Sequence, residues 1–102
     1  MQTITVEALK QRLEQNESIH LLDVREPSEY AETNMGALLL PLGQVMNGQI
    51  EPIEDWKEEE IVIHCRSGMR SMQACMMLEQ MGFKHVVNLE GGILAWNSLN
   101  GG

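Results

Sequence analysis

Ile61-Val62-Ile63-His64-Cys65-Arg66-Ser67-Gly68-Met69-Arg70-Ser71 is the stretch that decides the fold. It reads as a β-branched strand stopping at a cysteine, then a tight loop with one glycine and two arginines. A helical pattern from Ser71 to Met81 follows at once. Strand, short loop and helix N-terminus in that order build an anion cradle, because the loop's N–H groups converge where the helix start adds partial positive charge. A cysteine at its mouth feels the helix terminus, nearby guanidinium groups and partial exposure, each of which lowers a thiol pKa. The expectation is a reactive thiolate over an anion site, with Gly68 supplying a backbone of positive φ.

Working outward, Thr5 is placed to cap a helix from Val6 to about Glu14, with Leu9 and Leu13 at helical spacing. Ile19 to Val24 reads as a buried strand, and Pro27 suits the first position of a short helix reaching Ala31. Ala37 to Leu40 is a further short strand. Gly43 to Trp56 is loop-rich with one helical turn, and Glu58-Glu59-Glu60 is a solvated turn. In the helix after the cradle, Ala74, Leu78 and Met81 form one stripe with Met72 and Met76 beside it, read as core. Lys84 to Leu89 is a strand, and Gly91-Gly92 turns into a last helix, Ile93 to Leu99, with Trp96 on its face. Strands alternating with helices over short connections imply an α/β fold, with a central parallel sheet of about five strands flanked by helices on both faces. The 102 residues show no repeat or linker and are read as one domain, with its core at about 3–99.

Composition excludes several classes. The net charge of −8 argues against nucleic acid and anionic membranes, since phosphate binding needs basic surface. Only seven residues are Lys or Arg, and two of them, Arg66 and Arg70, fall beside Cys65. No basic and apolar leader opens the chain, and Ala37-Leu38-Leu39-Leu40 falls far short of the roughly 20 apolar residues a membrane span needs. Two cysteines make no disulfide framework, and Cys75 within a helical pattern reads as core. A soluble, cytoplasmic protein is expected. No Cys and His cluster has metal-ligand spacing, so no metal and no cofactor are expected.

Four segments now resemble a known family, the single-domain rhodaneses, or thiosulfate:cyanide sulfurtransferases. Leu22-Asp23-Val24-Arg25-Glu26-Pro27-Ser28-Glu29-Tyr30 resembles its first signature, which Gly36-Ala37 and Pro41-Leu42 continue. Cys65 to Ser71 is similar to its active-site loop, and Leu89-Glu90-Gly91-Gly92-Ile93-Leu94-Ala95-Trp96 to its closing signature. One departure stands out: Thr33-Asn34-Met35-Gly36-Ala37 is one residue shorter than the family's Gly-His-Ile-Pro-Gly-Ala run and lacks its histidine. The resemblance implies a rhodanese-like fold and a ping-pong cycle. In it the Cys65 thiolate takes sulfane sulfur from a thiosulfate-like donor and hands it from a persulfide to a thiophilic acceptor, a small thiol or a protein.

Within that reading Cys65 is the nucleophile, and the N–H groups from Arg66 to Ser71 (Arg66, Ser67, Gly68, Met69, Arg70, Ser71) form the substrate-binding loop. Arg70 is assigned to the donor's oxygens through its planar fork, and Arg66 points outward toward the acceptor. Ser67 and Ser71 are candidate hydroxyl donors, Ser71 equally a helix-start residue. Asp23 and Arg25 read as a structural ion pair, with a pocket wall as their lesser role. His64 should face away from Cys65, because neighbouring strand residues point to opposite faces. His20 and His85 read as structural. Two rivals remain: a phosphatase or arsenate reductase on the same fold, whose loop is one residue longer, and a non-enzymatic binding module, against which the intact Cys65 argues. Gly101-Gly102 is similar to a sulfur-carrier tail and is read as a disordered end or cloning remnant.

Overall fold

The protein's computed structural model describes residues 1–101, so Gly102 and the reading of the terminal glycine pair lie partly outside it. Its elements run β1 (Gln2–Ile4), α1 (Val6–Glu14), β2 (His20–Asp23), α2 (Pro27–Glu32), β3 (Leu38–Leu39), α3 (Leu42–Met46), a 3₁₀ helix (Glu51–Trp56), β4 (Glu60–His64), α4 (Met69–Gln80), β5 (His85–Leu89) and α5 (Gly92–Leu99). The five strands form one parallel sheet in the order β1-β5-β4-β2-β3. The expected parallel α/β sheet is therefore present.

Local chemistry accounts for most boundaries. The Thr5 hydroxyl accepts the Ala8 N–H at 3.1 Å and starts α1. Pro27 opens α2 with its fixed φ and missing N–H. β4, the central strand, alternates cleanly. Ile61 and Ile63 join the core under α3 and α4 with Ala74, Cys75 and Leu78, while Val62 joins Leu9, Val87 and Leu89 under α1 and α5. Each face buries its own cluster, which is how a parallel sheet stays covered on both sides.

One strand was not foreseen, and three expectations need correction. Gln2–Ile4 is a strand, pairing with Val87 to Leu89 of β5. Gly43–Trp56 carries two helical pieces, α3 and the 3₁₀ helix, each pinning one core residue, Val45 and Ile53. Glu58 to Glu60 is not merely a solvated turn: Glu60 opens β4 and takes both arms of Arg12, Glu59 meets His20, and Glu58 meets Lys84. Met72 and Met76 are exposed rather than core, because α4 buries the face of Ala74, Cys75 and Leu78 and turns them outward. No helix among the described residues is long and apolar enough to cross a membrane.

Sheet order fixes where chemistry can occur. From β2 the chain crosses outward to β3, and from β4 it crosses the opposite way to β5. Connections leaving the carboxyl ends of β2 and β4 thus diverge and leave a crevice between them, the usual ligand position in an open parallel sheet. Val24 to Glu26 edges it on one side and Cys65 to Gly68 on the other.

Candidate active site

Cys65 follows the last residue of β4, and the loop after it bends back so that Gly68 N–H donates to the Cys65 Sγ at 3.1 Å. Gly68 makes that bend possible with φ of +119° as the N-cap of α4. The helix begins at Met69, two residues before the expected Ser71, so Arg70 and Ser71 both lie in its first turn. The Ser71 hydroxyl sits 3.4 Å from the sulfur. Burial pushes the Cys65 pKa up, but the Ser71 hydroxyl and the N–H groups of Ser71, Gly68 and Ser67 outweigh it, and the net shift is downward.

Two details of this thiol differ from expectation. Only 1% of Cys65 is exposed, not the partial exposure foreseen. The thiolate is favoured chiefly by hydrogen bonds of the loop rather than by guanidinium groups. A sulfur so enclosed can be met only by a narrow group presented at the loop.

Arg70 is already engaged. Its two terminal nitrogens hold the two carboxylate oxygens of Glu29 on α2 at 2.7 and 2.9 Å, a bidentate pair across the crevice. Glu29 also accepts the Glu26 N–H, so one carboxylate ties the start of α2 to the first turn of α4. The Arg70 guanidinium holds the Glu29 carboxyl down at about 2. A carboxylate depressed in the folded state adds stability above its unfolded pKa and loses it as pH falls through the folded one. The Glu29 contribution is therefore complete above about 4.5 and disappears as pH drops toward 2. Urea unfolding from pH 6 to 2.5 is expected to lose stability faster for the parent protein than for Glu29→Gln; parallel curves would disprove the linkage.

Asp23 and Arg25 form the expected ion pair, both buried, with the Arg25 Nε and Nη2 donating to the carboxylate at 2.7–3.1 Å. Arg25 further donates to the carbonyls of Glu29 and Thr33, fixing the chain around α2. Asp23 is fully enclosed and forms no pocket wall, whereas Arg25 does. It lines a cavity of about 320 Å³ together with Glu32, Arg66, Ile93 and Leu94. Arg66 also lines this cavity, exposed and with no ion pair among the described residues.

His64 does face away from the thiol. Its Nδ1 lies 3.2 Å from the Cys65 carbonyl oxygen and its Nε2 3.6 Å from Asp23, on the sheet face opposite the sulfur. Burial pushes its pKa down, against the pull of Asp23. It makes no dyad with Cys65. Cys75 is enclosed in the core, where burial pushes its thiol up to about 12. His20 stacks on Trp56 at 4.1 Å, and His85 is exposed at the start of β5. In the shortened segment, the Asn34 side chain accepts the Gly36 N–H and the Tyr30 hydroxyl donates to the Ala37 carbonyl, which closes the turn without a histidine.

Two residues of the site escaped the sequence reading. Glu29 was visible only as part of a helix motif, since its partner lies 41 positions away. Asn88 carries the better signal: it is the one polar residue in Val86-Val87-Asn88-Leu89, and it shares the face of Val86, under α4. There the Ser71 hydroxyl meets its side-chain oxygen at 2.5 Å.

Comparison with known proteins fits this geometry. The profile of the rhodanese-like domain matches residues 5–99. A protein of Allochromatium vinosum named sulfurtransferase is 45% identical over 94 residues, which cover 91% of this chain and 85% of the relative. The putative sulfurtransferase YtwF of Bacillus subtilis is 43% identical, covering 91% and 87%. The crystal structure of a rhodanese-like domain protein from Staphylococcus aureus superposes with a TM-score of 0.82 at 32% identity, over 94% of this chain and 91% of that one. A cysteine held by loop N–H groups at the carboxyl edge of a five-stranded parallel sheet, in a chain matched along nearly its whole length, marks the protein as a member of the rhodanese-like domain family.

Proposed function

We propose that the protein is a sulfurtransferase in which Cys65 carries the transferred sulfur as a persulfide. The observation that carries the reading is the Cys65 sulfur itself. It is enclosed, with its pKa lowered, accepting the Gly68 N–H and lying 3.4 Å from the Ser71 hydroxyl inside a loop with four residues between cysteine and arginine. The sulfurtransferase names of the relatives support the same class.

The Cys65 thiolate attacks the outer sulfur of thiosulfate, forming one S–S bond while the donor's S–S bond breaks and sulfite leaves with the electron pair. The Cys65 persulfide remains. An acceptor thiolate, or cyanide, then attacks the terminal sulfur and Cys65 leaves as thiolate, ready for the next donor. Both steps keep negative charge inside the loop, where N–H groups stabilise it without reorganising. A loop this short suits a single sulfur seated on the thiol better than a tetrahedral phosphate.

Arg70 acts at the rim. Its terminal nitrogens anchor Glu29, and its Nε has no partner among the described residues and is available to a donor oxygen. Arg70→Ala removes that contact and also leaves the Glu29 carboxylate unpaired where an anion must approach. A charge-assisted contact is worth about 1.5–3 kcal/mol, so kcat/KM for thiosulfate should fall on the order of ten- to a hundredfold. Arg70→Lys should restore part of it, since an ammonium keeps the charge but not the fork. An unchanged kcat/KM in Arg70→Ala would remove Arg70 from the scheme.

Intact mass after incubation with thiosulfate tests the function as a whole. A gain of one sulfur, lost again on adding cyanide, is expected. Turnover of an aryl phosphate with no sulfur gained would replace this reading by the phosphatase one.

A further inference from the structure

The Ser71 hydroxyl has more neighbours than it can serve. Its oxygen lies 2.5 Å from the Asn88 Oδ1, 3.2 Å from the Gly68 carbonyl and 3.4 Å from the Cys65 sulfur, yet it owns one hydrogen. The Gly68 carbonyl does not need that hydrogen. It already accepts the Met72 N–H at 3.2 Å and the Asn88 Nδ2–H at 3.3 Å. The contest is therefore between Asn88 and Cys65. The Gly68 carbonyl can only accept, so it holds the Asn88 nitrogen toward itself and the Asn88 oxygen toward Ser71. In that arrangement the Ser71 hydrogen points at Asn88, and the sulfur faces a lone pair.

We propose that Asn88 is a positioning residue: it holds the Ser71 hydroxyl hydrogen away from Cys65 while the sulfur is a thiol, and must release it when the sulfur becomes a thiolate. In the thiol form the bonds run in one direction, S–H to the Ser71 oxygen and Ser71 O–H to Asn88. Loss of the thiol proton to solvent leaves two lone-pair-bearing atoms face to face. The Ser71 hydrogen then rotates to the sulfur, and the Asn88 amide turns over so that its nitrogen donates to the Ser71 oxygen. The turn costs the Gly68 carbonyl the Asn88 N–H and sets the amide oxygen against it, a cost the new bond to the thiolate must outweigh, while the Met72 N–H stays in place. No bond between heavy atoms is made or broken; the S–H bond breaks and its proton leaves to solvent, with the electron pair staying on sulfur. Ser71 and Asn88 are both almost completely enclosed, so water cannot stand in for either partner. The inference rests on Cys65 being the nucleophile of the proposed function, but it concerns the thiol before any sulfur is bound.

The test reads the apparent pKa of Cys65 from the pH dependence of its alkylation by iodoacetamide, in Cys75→Ala protein so that one thiol reports. Ser71→Ala should raise that value by about one unit, the size of one lost hydrogen bond to a charged group. Asn88→Ala should lower it, because Ser71 is then free to donate to the thiolate. In the double variant the Asn88 substitution should no longer lower the value, since its route through Ser71 is gone and only its bond to the Gly68 carbonyl remains. If Asn88→Ala does not fold, Asn88→Ser, whose side chain is too short to hold Ser71 at its present position, should shift the value in the same direction. A merely structural Asn88 predicts the opposite: a raised or unchanged value, and effects that add in the double variant. Either result overturns the proposal. Because alkylation needs no sulfur donor, the proposal can fail while persulfide formation succeeds, and the reverse.

Discussion

Cys65→Ser is expected to abolish sulfur transfer completely while leaving the fold and its thermal midpoint nearly unchanged. Serine fills almost the same space, and its oxygen can accept the Gly68 N–H that the sulfur now receives at 3.1 Å. What it lacks is a sulfur on which a persulfide can form. Cys75→Ser gives the contrasting result. That thiol is sealed in the core, pushed up to about 12 by burial, with Glu79 adding to the effect, so at neutral pH it is neither ionised nor reachable. A hydroxyl there without a partner should cost about 1–3 kcal/mol of stability and leave the rate per folded molecule intact. Intact mass with thiosulfate should show one added sulfur in the parent and in Cys75→Ser, and none in Cys65→Ser. Equal loss from both substitutions would mean a dithiol mechanism and defeat the single-nucleophile scheme.

The parts of this molecule that sequence made visible are those governed by neighbours in the chain. The Thr5 cap, the Pro27 helix start and the strand-loop-helix around Cys65 each follow from a few adjacent residues, and each is present, the helix after Cys65 starting two residues earlier than expected. Gly68 had to take a positive φ because no other residue in the loop bears that backbone easily. The missed strand, Gln2–Ile4, shows the limit. It is short, lies at the sheet edge with two of its three residues exposed, and owes its form to the exposed edge of β5 rather than to its own pattern.

The site was legible as chemistry but not as wiring. That Cys65 would sit among N–H groups followed from the loop. That Arg70 would spend its fork on Glu29 did not, because a contact 41 positions apart exists only once α2 has been laid beside α4. The same holds for Asn88, which reaches Ser71 across 17 positions. The burial of Cys65 also escaped, since its side chain joins the core under α3 and α4 while α5 packs against the backbone of the loop. There the Cys65 and Arg66 carbonyls accept the Ile93 and Leu94 N–H groups at 3.0 and 3.1 Å. These bonds make the first turn of α5 the floor of the cradle.

That floor leads to the second large effect. Gly92→Ala is expected to destabilise the protein by about 3 kcal/mol or more and to take sulfur transfer with it. A Cβ at Gly92 would stand 2.5 Å from the Arg66 carbonyl oxygen and 2.6 Å from the Cys65 carbonyl oxygen, both backbone atoms that cannot swing aside as a side chain can. The residue also has φ of +56°, where a side chain brings its own strain. Relief requires α5 and the loop to separate, which breaks the two hydrogen bonds that hold them and moves the N–H groups off the sulfur. Gly36→Ala isolates the clash from the strain: its φ is +82°, but nothing lies within 4 Å of the added carbon, so it should cost about 1 kcal/mol and spare activity. Urea unfolding and the alkylation rate of Cys65 decide the comparison. Should Gly92→Ala lose no more stability than Gly36→Ala and keep the parent alkylation profile, the contact between α5 and the loop is not what shapes the thiol's surroundings.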